Sequence, residues 1–151
     1  MSEALGCLLT SIPEREVAKV IATSLRLLGY DGLFVNEQYR TITASRREPF
    51  KTANFNAVLD FAVSIEWADY SDDIGPGILI NTKVNERQAS WSGSNCQQKL
   101  EAIEDSITKY AKQIEAGAGG PKVTGARWAS IKELRLAEYL GSMTSHGQLF
   151  L

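Results

Sequence analysis

Apolar residues recur every three or four positions in three stretches of the chain, which is the period of an amphipathic helix. In the first stretch the repeating residues are Val17, Val20, Ile21, Leu25 and Leu28. A Ser-x-x-Glu capping box at 11–14 precedes this stretch and Gly29 follows it. We therefore predict a helix between the two signals.

The other two helical stretches carry the same signals at their ends. The second has a capping box at 94–97 and stops at Gly117, and its apolar face comprises Leu100, Ile103, Ile107, Tyr110 and Ile114. The third has a capping box at 130–133 and stops at Gly141, and its apolar residues are Ile131, Leu134 and Leu136. We predict a long second helix and a short third one.

Between the first two helices the apolar period changes to two, which is typical of strands. Residues 59–67 and 78–84 alternate in this way, and the turn-forming stretch 71–77 joins them into an antiparallel hairpin. Residues 33–36 and 39–46 predict a shorter hairpin upstream. The resulting order predicts an α+β fold, a four-stranded antiparallel meander flanked by two helices packed on one face.

The chain divides at a glycine-rich linker after the second helix. Residues 1–116 form the predicted α+β domain, whereas 117–151 comprise the linker, the short helix and an apolar end. The first part carries 12 basic and 16 acidic residues, a net charge of −4, and the second carries 4 and 2, a net charge of +2. We expect a self-sufficient domain with an appendage of opposite charge.

Composition excludes several classes of protein. With 44% hydrophobic and 23% charged residues the chain is not disordered as a whole, and no apolar run is long enough to span a membrane. The net charge of −2 argues against direct nucleic-acid contact by 1–116. The first eleven residues lack the basic start of a secretory signal, and Cys7 and Cys96 are too few for a disulfide scaffold. We expect a cytoplasmic protein with reduced cysteines and no membrane contact.

The sequence contains no recognisable catalytic set. The single histidine, His146, lies in a Ser-His-Gly segment of the tail, far from any patterned scaffold, which argues against a Ser-His-Asp triad. Two distant cysteines and one histidine do not make a zinc ligand set. The acidic stretch 69–73 lacks EF-hand spacing, and the linker 117–122 lacks the spacing of a phosphate-binding loop. We therefore expect no catalytic residues, no metal and no cofactor.

One enzymatic interpretation stays open. The helix that ends at 28–32 and the strands after it resemble the beginning of restriction-endonuclease-like domains, which place a metal-binding Asp on one strand and Glu-x-Lys on the next. Asp60 matches the first position, but Asn81-Thr82-Lys83 has an amide where the carboxylate belongs. A degenerate domain of this class predicts a parallel element in the sheet and Asp60 close to Lys83.

Two further groups of residues have alternative interpretations. A basic cluster is typical of protection along an edge strand, and it comprises Arg40, Arg46, Arg47 and Lys51. Four aromatic residues could line an apolar ligand pocket between sheet and helices or could fill the core, and these are Phe55, Phe61, Trp67 and Trp91.

The C-terminal segment carries a family resemblance. It begins Gly-Ala-Arg-Trp-Ala at Gly125, continues Ser-Ile-Lys-Glu-Leu, and ends Gly-Gln-Leu-Phe-Leu. Residues 125–151 thereby resemble the stretch that precedes the ATP-binding core of type IV secretion coupling proteins, the conjugative DNA-translocating ATPases. The resemblance implies a positioning role for Arg127 and Trp128 and places ATP hydrolysis outside these residues, because no Walker motif is present.

These observations favour a non-catalytic interaction or oligomerisation module that binds a protein partner or a second copy of itself. The resemblance adds the expectation that the chain is the N-terminal part of a type IV DNA-translocation ATPase. A small-ligand-binding domain and a degenerate nuclease-like domain are the alternatives.

Overall fold

Six strands and two helices make up the described part of the chain in the computed structural model, which comprises residues 2–51, 56–72, 75–86, 93–117 and 127–129. In chain order the elements are β1 Ser2–Leu9, a 3-10 turn Glu14–Glu16, α1 Val17–Leu27, β2 Asp31–Asn36, β3 Thr41–Lys51, β4 Asn56–Asp72, β5 Gly75–Glu86, α2 Gly93–Gly117 and β6 Arg127–Ala129. This order confirms the predicted α+β class.

The strands form one antiparallel sheet in the order β2-β3-β4-β5-β1-β6. The meander from β2 to β5 is present, but the prediction of only four strands is wrong. β1 lies beside β5 with Ser2 opposite Val84, and the three residues of β6 extend the sheet beyond β1. The sequence pattern concealed β1 because Ala4 and Gly6 occupy its positions on the helix side, where larger apolar residues would mark a strand.

Both helices pack on one face of the sheet, and the main core lies between them and that face. Alternate strand residues point into it, so that buried side chains from α1 and α2 meet those of the central strands. Its fully buried large residues include Ile21, Leu25, Ile42, Phe61, Ile65, Ile80, Leu100, Ile103 and Ile107. Burial of these side chains is the main stabilising contribution to the fold.

The two ends of α1 differ in how well the sequence predicts them. The predicted capping box at 11–14 does not form. Pro13 is the N-cap of the 3-10 turn Glu14–Glu16, which leads into α1, and this cap has no side-chain hydrogen bond. The Glu14 carboxylate contacts Arg40 and Trp67 instead. Gly29 ends the helix as predicted, with φ at +89° and the amide of Tyr30 donating to the Leu25 carbonyl at 3.0 Å. In the box at 94–97 the Gln97 amide donates to Glu101 at 3.2 Å, whereas the Ser94 side chain is outside the described residues. The third predicted box and the helix after it are also outside the described residues.

The face of the sheet away from the helices has two unlike halves. The polar half is a shallow groove of about 350 Å³ lined by Thr43, Ser45, Ser64, Lys83, Asn85 and their neighbours. The apolar half consists of buried side chains from the other end of the central strands, namely Cys7, Leu9, Ala68, Tyr70 and Leu79. At the border Glu3 accepts a 3.1 Å hydrogen bond from Asn81 and lies 3.7 Å from the Lys83 ammonium.

Gly77 on β5 lies opposite Leu9 of β1. A Cβ atom at this position would come within 2.8 Å of the Cys7 sulfur and 2.9 Å of the Leu8 carbonyl oxygen. Since the backbone oxygen cannot move without disturbing the ladder, we expect Gly77→Ala to lower the free energy of unfolding by about 1–3 kcal/mol. Urea denaturation checks this value. Ser64→Ala, in the polar half of the same face, should change it by less than about 0.5 kcal/mol.

Glu104 on α2 makes the stability of the folded chain depend on pH. Burial, with a further contribution from the neighbouring Glu101 and Asp105 carboxylates, raises the pKa of its carboxyl to about 7. The folded chain therefore binds this proton more tightly than the unfolded chain, and stability falls as pH rises from about 4.5 to about 7. Because the side chain is only partly buried, we expect Glu104→Gln to stabilise the protein by about 1 kcal/mol at pH 8 and negligibly at pH 4.

Urea denaturation at the two pH values measures this difference. The exposed Glu37 in the β2–β3 turn provides a matched control, and Glu37→Gln should give no such pH-dependent gain. An equal gain from Glu104→Gln at pH 4 and pH 8 would contradict the ionisation argument.

Candidate functional site

The clearest functional feature is the outer edge of β2, the last strand on one side of the sheet. Five large apolar side chains are exposed among the described residues, and four of them surround this strand. Their exposed fractions run from 37% to 69%, and together they define the β2 edge surface: Leu27, Phe34, Val35 and Tyr39. Clustered exposed apolar side chains mark binding surfaces more often than scattered ones do.

The path of the chain places these residues on both sides of the edge. Leu27 is the last residue of α1, and the reversal at Gly29 leads directly into β2. Val35 pairs with the buried Ile42 and so lies on the helix side, whereas Phe34 pairs with Thr43 on the opposite face. A strand added to this edge would therefore meet apolar side chains above and below its own backbone.

The turn after β2 holds the surface in place. Asn36 accepts a hydrogen bond from the amide of Tyr39 at 3.1 Å, and Arg40 adopts a left-handed conformation with φ at 54°. The Arg40 guanidinium lies 3.1 Å from the Glu14 carboxylate, and its carbonyl accepts the Trp67 amide at 3.1 Å. The turn is thus tied to the start of α1 and to β4, so little ordering is needed on binding.

Beyond the end of β2, the outer edge of the sheet is formed by β3, and this part of the edge is polar rather than apolar. β2 pairs with β3 only as far as Ser45, so the rest of β3 has no partner on that side within the described chain. Here lie Arg46, Arg47 and Pro49, residue types that discourage strand addition. Three members of the predicted basic cluster, Arg46, Arg47 and Lys51, thus belong to the part of β3 where edge protection is required.

β2 lacks these features. Its single charged residue is Asp31 at the first position, and it contains neither lysine nor proline. Sequence reasoning placed a strand at 33–36 but did not single out its exposed side chains. The available signal was the adjacent pair Phe34 and Val35 in the predicted strand 33–36, which contains no charged residue. One part of this sheet edge is therefore protected, while the neighbouring part is open and apolar.

The aromatic residues considered for a ligand pocket lie elsewhere. Phe61 and Trp67 are buried between sheet and helices, and the Trp67 indole donates to Glu14 at 3.1 Å. The cavity near Trp67, bordered by Ile80 and Ile107 among others, measures about 10 Å³, room for about one water molecule. Phe55 and Trp91 lie outside the described residues. The two described aromatics fill the core.

The residues of the nuclease-like interpretation are not brought together. Asp60 pairs with Arg47, whereas Lys83 pairs with Ser64, four residues further along β4 and about 13 Å away. Every strand pairing in the described sheet is antiparallel. Among the described residues no three His, Cys, Asp or Glu side chains are grouped as metal ligands.

The C-terminal residues of interest are only partly described. Arg127 and Trp128 belong to β6, where their backbones pair with Leu9 and Leu8 of β1, and their side chains lie outside the description, as does His146. Cys7 and Cys96 are both buried, and they are not joined in a disulfide. Neither described helix combines the length and apolar character needed to cross a membrane.

Comparisons with known proteins give no family. No protein-family model matches the sequence, and no similar curated protein is found. Function is therefore inferred from the geometry of the molecule.

Proposed function

We propose that the protein is a non-catalytic interaction module that self-associates through the β2 edge surface. One observation carries this proposal: β2 is an open edge flanked by exposed apolar residues, directly beside an edge that basic residues and a proline protect. An unprotected edge offers a row of backbone donors and acceptors to another strand. The exposed side chains supply the apolar burial that such pairing needs for stability.

The geometry of the edge suits a second copy of the same chain. Two antiparallel β2 strands form a self-complementary pair when a two-fold axis, perpendicular to the sheet, passes midway between Phe34 and its copy. In that register Phe34 lies opposite its copy, and Leu33 lies opposite Val35 of the second copy. In this register Asp31 lies opposite Glu37 of the second copy at each end of the pair, while no charged residues meet at its centre. Both sheets join into one, with all helices on the same face.

Oxidative cross-linking tests both the surface and the register. Directly opposed residues of antiparallel strands have Cα atoms about 4.5–5.5 Å apart, which permits a disulfide. We therefore expect Phe34→Cys to yield a covalent dimer under mild oxidation at a protein concentration high enough to offset the loss of the two ring contacts. The matched control is Val58→Cys, since Val58 is also exposed but lies on β4 away from this edge. Equal cross-linking of both variants, or none of Phe34→Cys, would contradict the proposal.

We further propose that residues 125–151 relate this chain to type IV secretion coupling proteins, so that the module accompanies a DNA-translocating ATPase. The support is the Gly-Ala-Arg-Trp-Ala segment at 125–129 and the Ser-Ile-Lys-Glu-Leu segment that follows it. The genomic reading frame beyond Leu151 tests this relation. A Walker A motif within the next few dozen codons is expected, and a frame without one would contradict it.

A further inference from the structure

The apolar half of the second face is buried although both described helices lie on the other face. Cys7 and Leu79 are opposite each other in the register of β1 and β5, and each is 0% exposed. Ala68, the neighbour of Leu79 on β4, and Tyr70 are also buried. Side chains in the middle of a sheet face reach zero exposure only when another layer covers them. A second layer therefore lies over this half of the sheet.

Most segments outside the described residues cannot supply that layer. Residues 52–55 and 87–92 follow Lys51 and Glu86, at the far end of the sheet. Seven strand residues, about 23 Å, separate Leu79 from Glu86. Residues 73–74 are only the tip of the β4–β5 hairpin. The stretch 118–126 is rich in glycine and contains a single large apolar residue, Val123. The remaining segment is 130–151.

β6 brings that segment to the apolar half. Its last residue, Ala129, pairs with Cys7, so residue 130 begins beside the covered side chains. The residues that follow combine a predicted capping box with the apolar positions Ile131, Leu134 and Leu136. Charge is complementary as well, because 117–151 carry a net charge of +2 and 1–116 carry −4, with Glu3 at the border of the apolar half.

We propose that residues 130–141 of the same chain fold as an amphipathic helix over the apolar half and exclude water from it. The sheet is then covered on both faces, by α1 and α2 on one and by this segment on part of the other. The two interfaces are separate, since the β2 edge surface is at the opposite side of the sheet. Failure of either proposal leaves the other intact.

The two cysteines provide the test, because Cys7 lies under the proposed helix and Cys96 lies in the main core on the other face. We expect both to react slowly with N-ethylmaleimide in the unmodified chain, with peptide mass spectrometry resolving the two. In the full chain with Leu134→Asp, Cys7 should react at least about tenfold faster while Cys96 stays protected. Ser130→Asp introduces the same charge but keeps a capping residue, so it should leave Cys7 protected.

Two results would overturn the proposal: rapid labelling of Cys7 in the unmodified chain, or no acceleration at Cys7 in the Leu134→Asp variant. If that variant unfolds entirely, both cysteines react at the same rate. The labelling rate of Cys7 in the unmodified chain then tests the proposal. Nuclear Overhauser contacts between the Leu79 methyl groups and the methyl groups of 130–141 are expected. Their absence overturns the proposal.

Discussion

Replacing Phe61 with alanine should lower the free energy of unfolding by about 3–5 kcal/mol, the usual range for a buried aromatic residue. The ring is 0% exposed, faces the helices from β4, and lies 5.3 Å below the Lys99 ammonium. Its removal leaves a cavity among the closely packed side chains of the main core. Urea denaturation of dilute protein measures the loss.

Val58 on the same strand gives the matched control. Its side chain is exposed, so Val58→Ala should change the free energy of unfolding by less than about 0.5 kcal/mol. A loss below about 1 kcal/mol for Phe61→Ala would indicate that the ring lines an open pocket and would favour the ligand-binding alternative.

Phe34→Lys should abolish self-association at moderate concentrations. The exposed ring lies at the proposed two-fold axis, so one substitution removes two aromatic contacts and places two ammonium groups together. With about 2 kcal/mol for each ring, the dissociation constant should rise about a thousandfold. Sedimentation velocity over a concentration series measures this change.

The control adds the same charge beside the strand. Gln38 is exposed in the β2–β3 turn, and Gln38→Lys should weaken association far less than Phe34→Lys. Both variants should retain the unfolding free energy of the dilute wild-type chain, because neither side chain belongs to the main core. Equal weakening by both variants would indicate general repulsion rather than loss of a specific contact.

The sequence predicted those elements whose patterns are local and complete. β4 and β5 alternate over many residues, and α2 shows its apolar face for several turns, so periodicity alone identified them. β1 was missed because two of its inward positions are Ala4 and Gly6, which leave room for the α2 layer without marking a strand. Glu14 was predicted to form a local cap with Ser11. In the fold it contacts Arg40 and Trp67 instead, and these residues are distant in sequence.

The candidate site was harder to predict because being an edge is a property of the whole sheet. The residues of β2 read as an ordinary strand, and only the strand order shows that Phe34 and Val35 have no neighbour on their outer side within the described chain. Likewise, Asp60 and Lys83 lie on adjacent strands, and the sequence alone does not show how far apart they are. The register pairs Lys83 with Ser64, which is four residues beyond Asp60 along β4. Register is set by packing and turns across the fold.

Sedimentation equilibrium of the unmodified chain tests self-association most directly. The monomer has a mass of 16.6 kDa. We expect the weight-average mass to rise with concentration and to level off at about 33 kDa, the mass of a dimer that uses its single β2 edge surface. A constant mass of 16.6 kDa up to about 1 mM would contradict the proposal, since it would leave an association free energy weaker than about −4 kcal/mol.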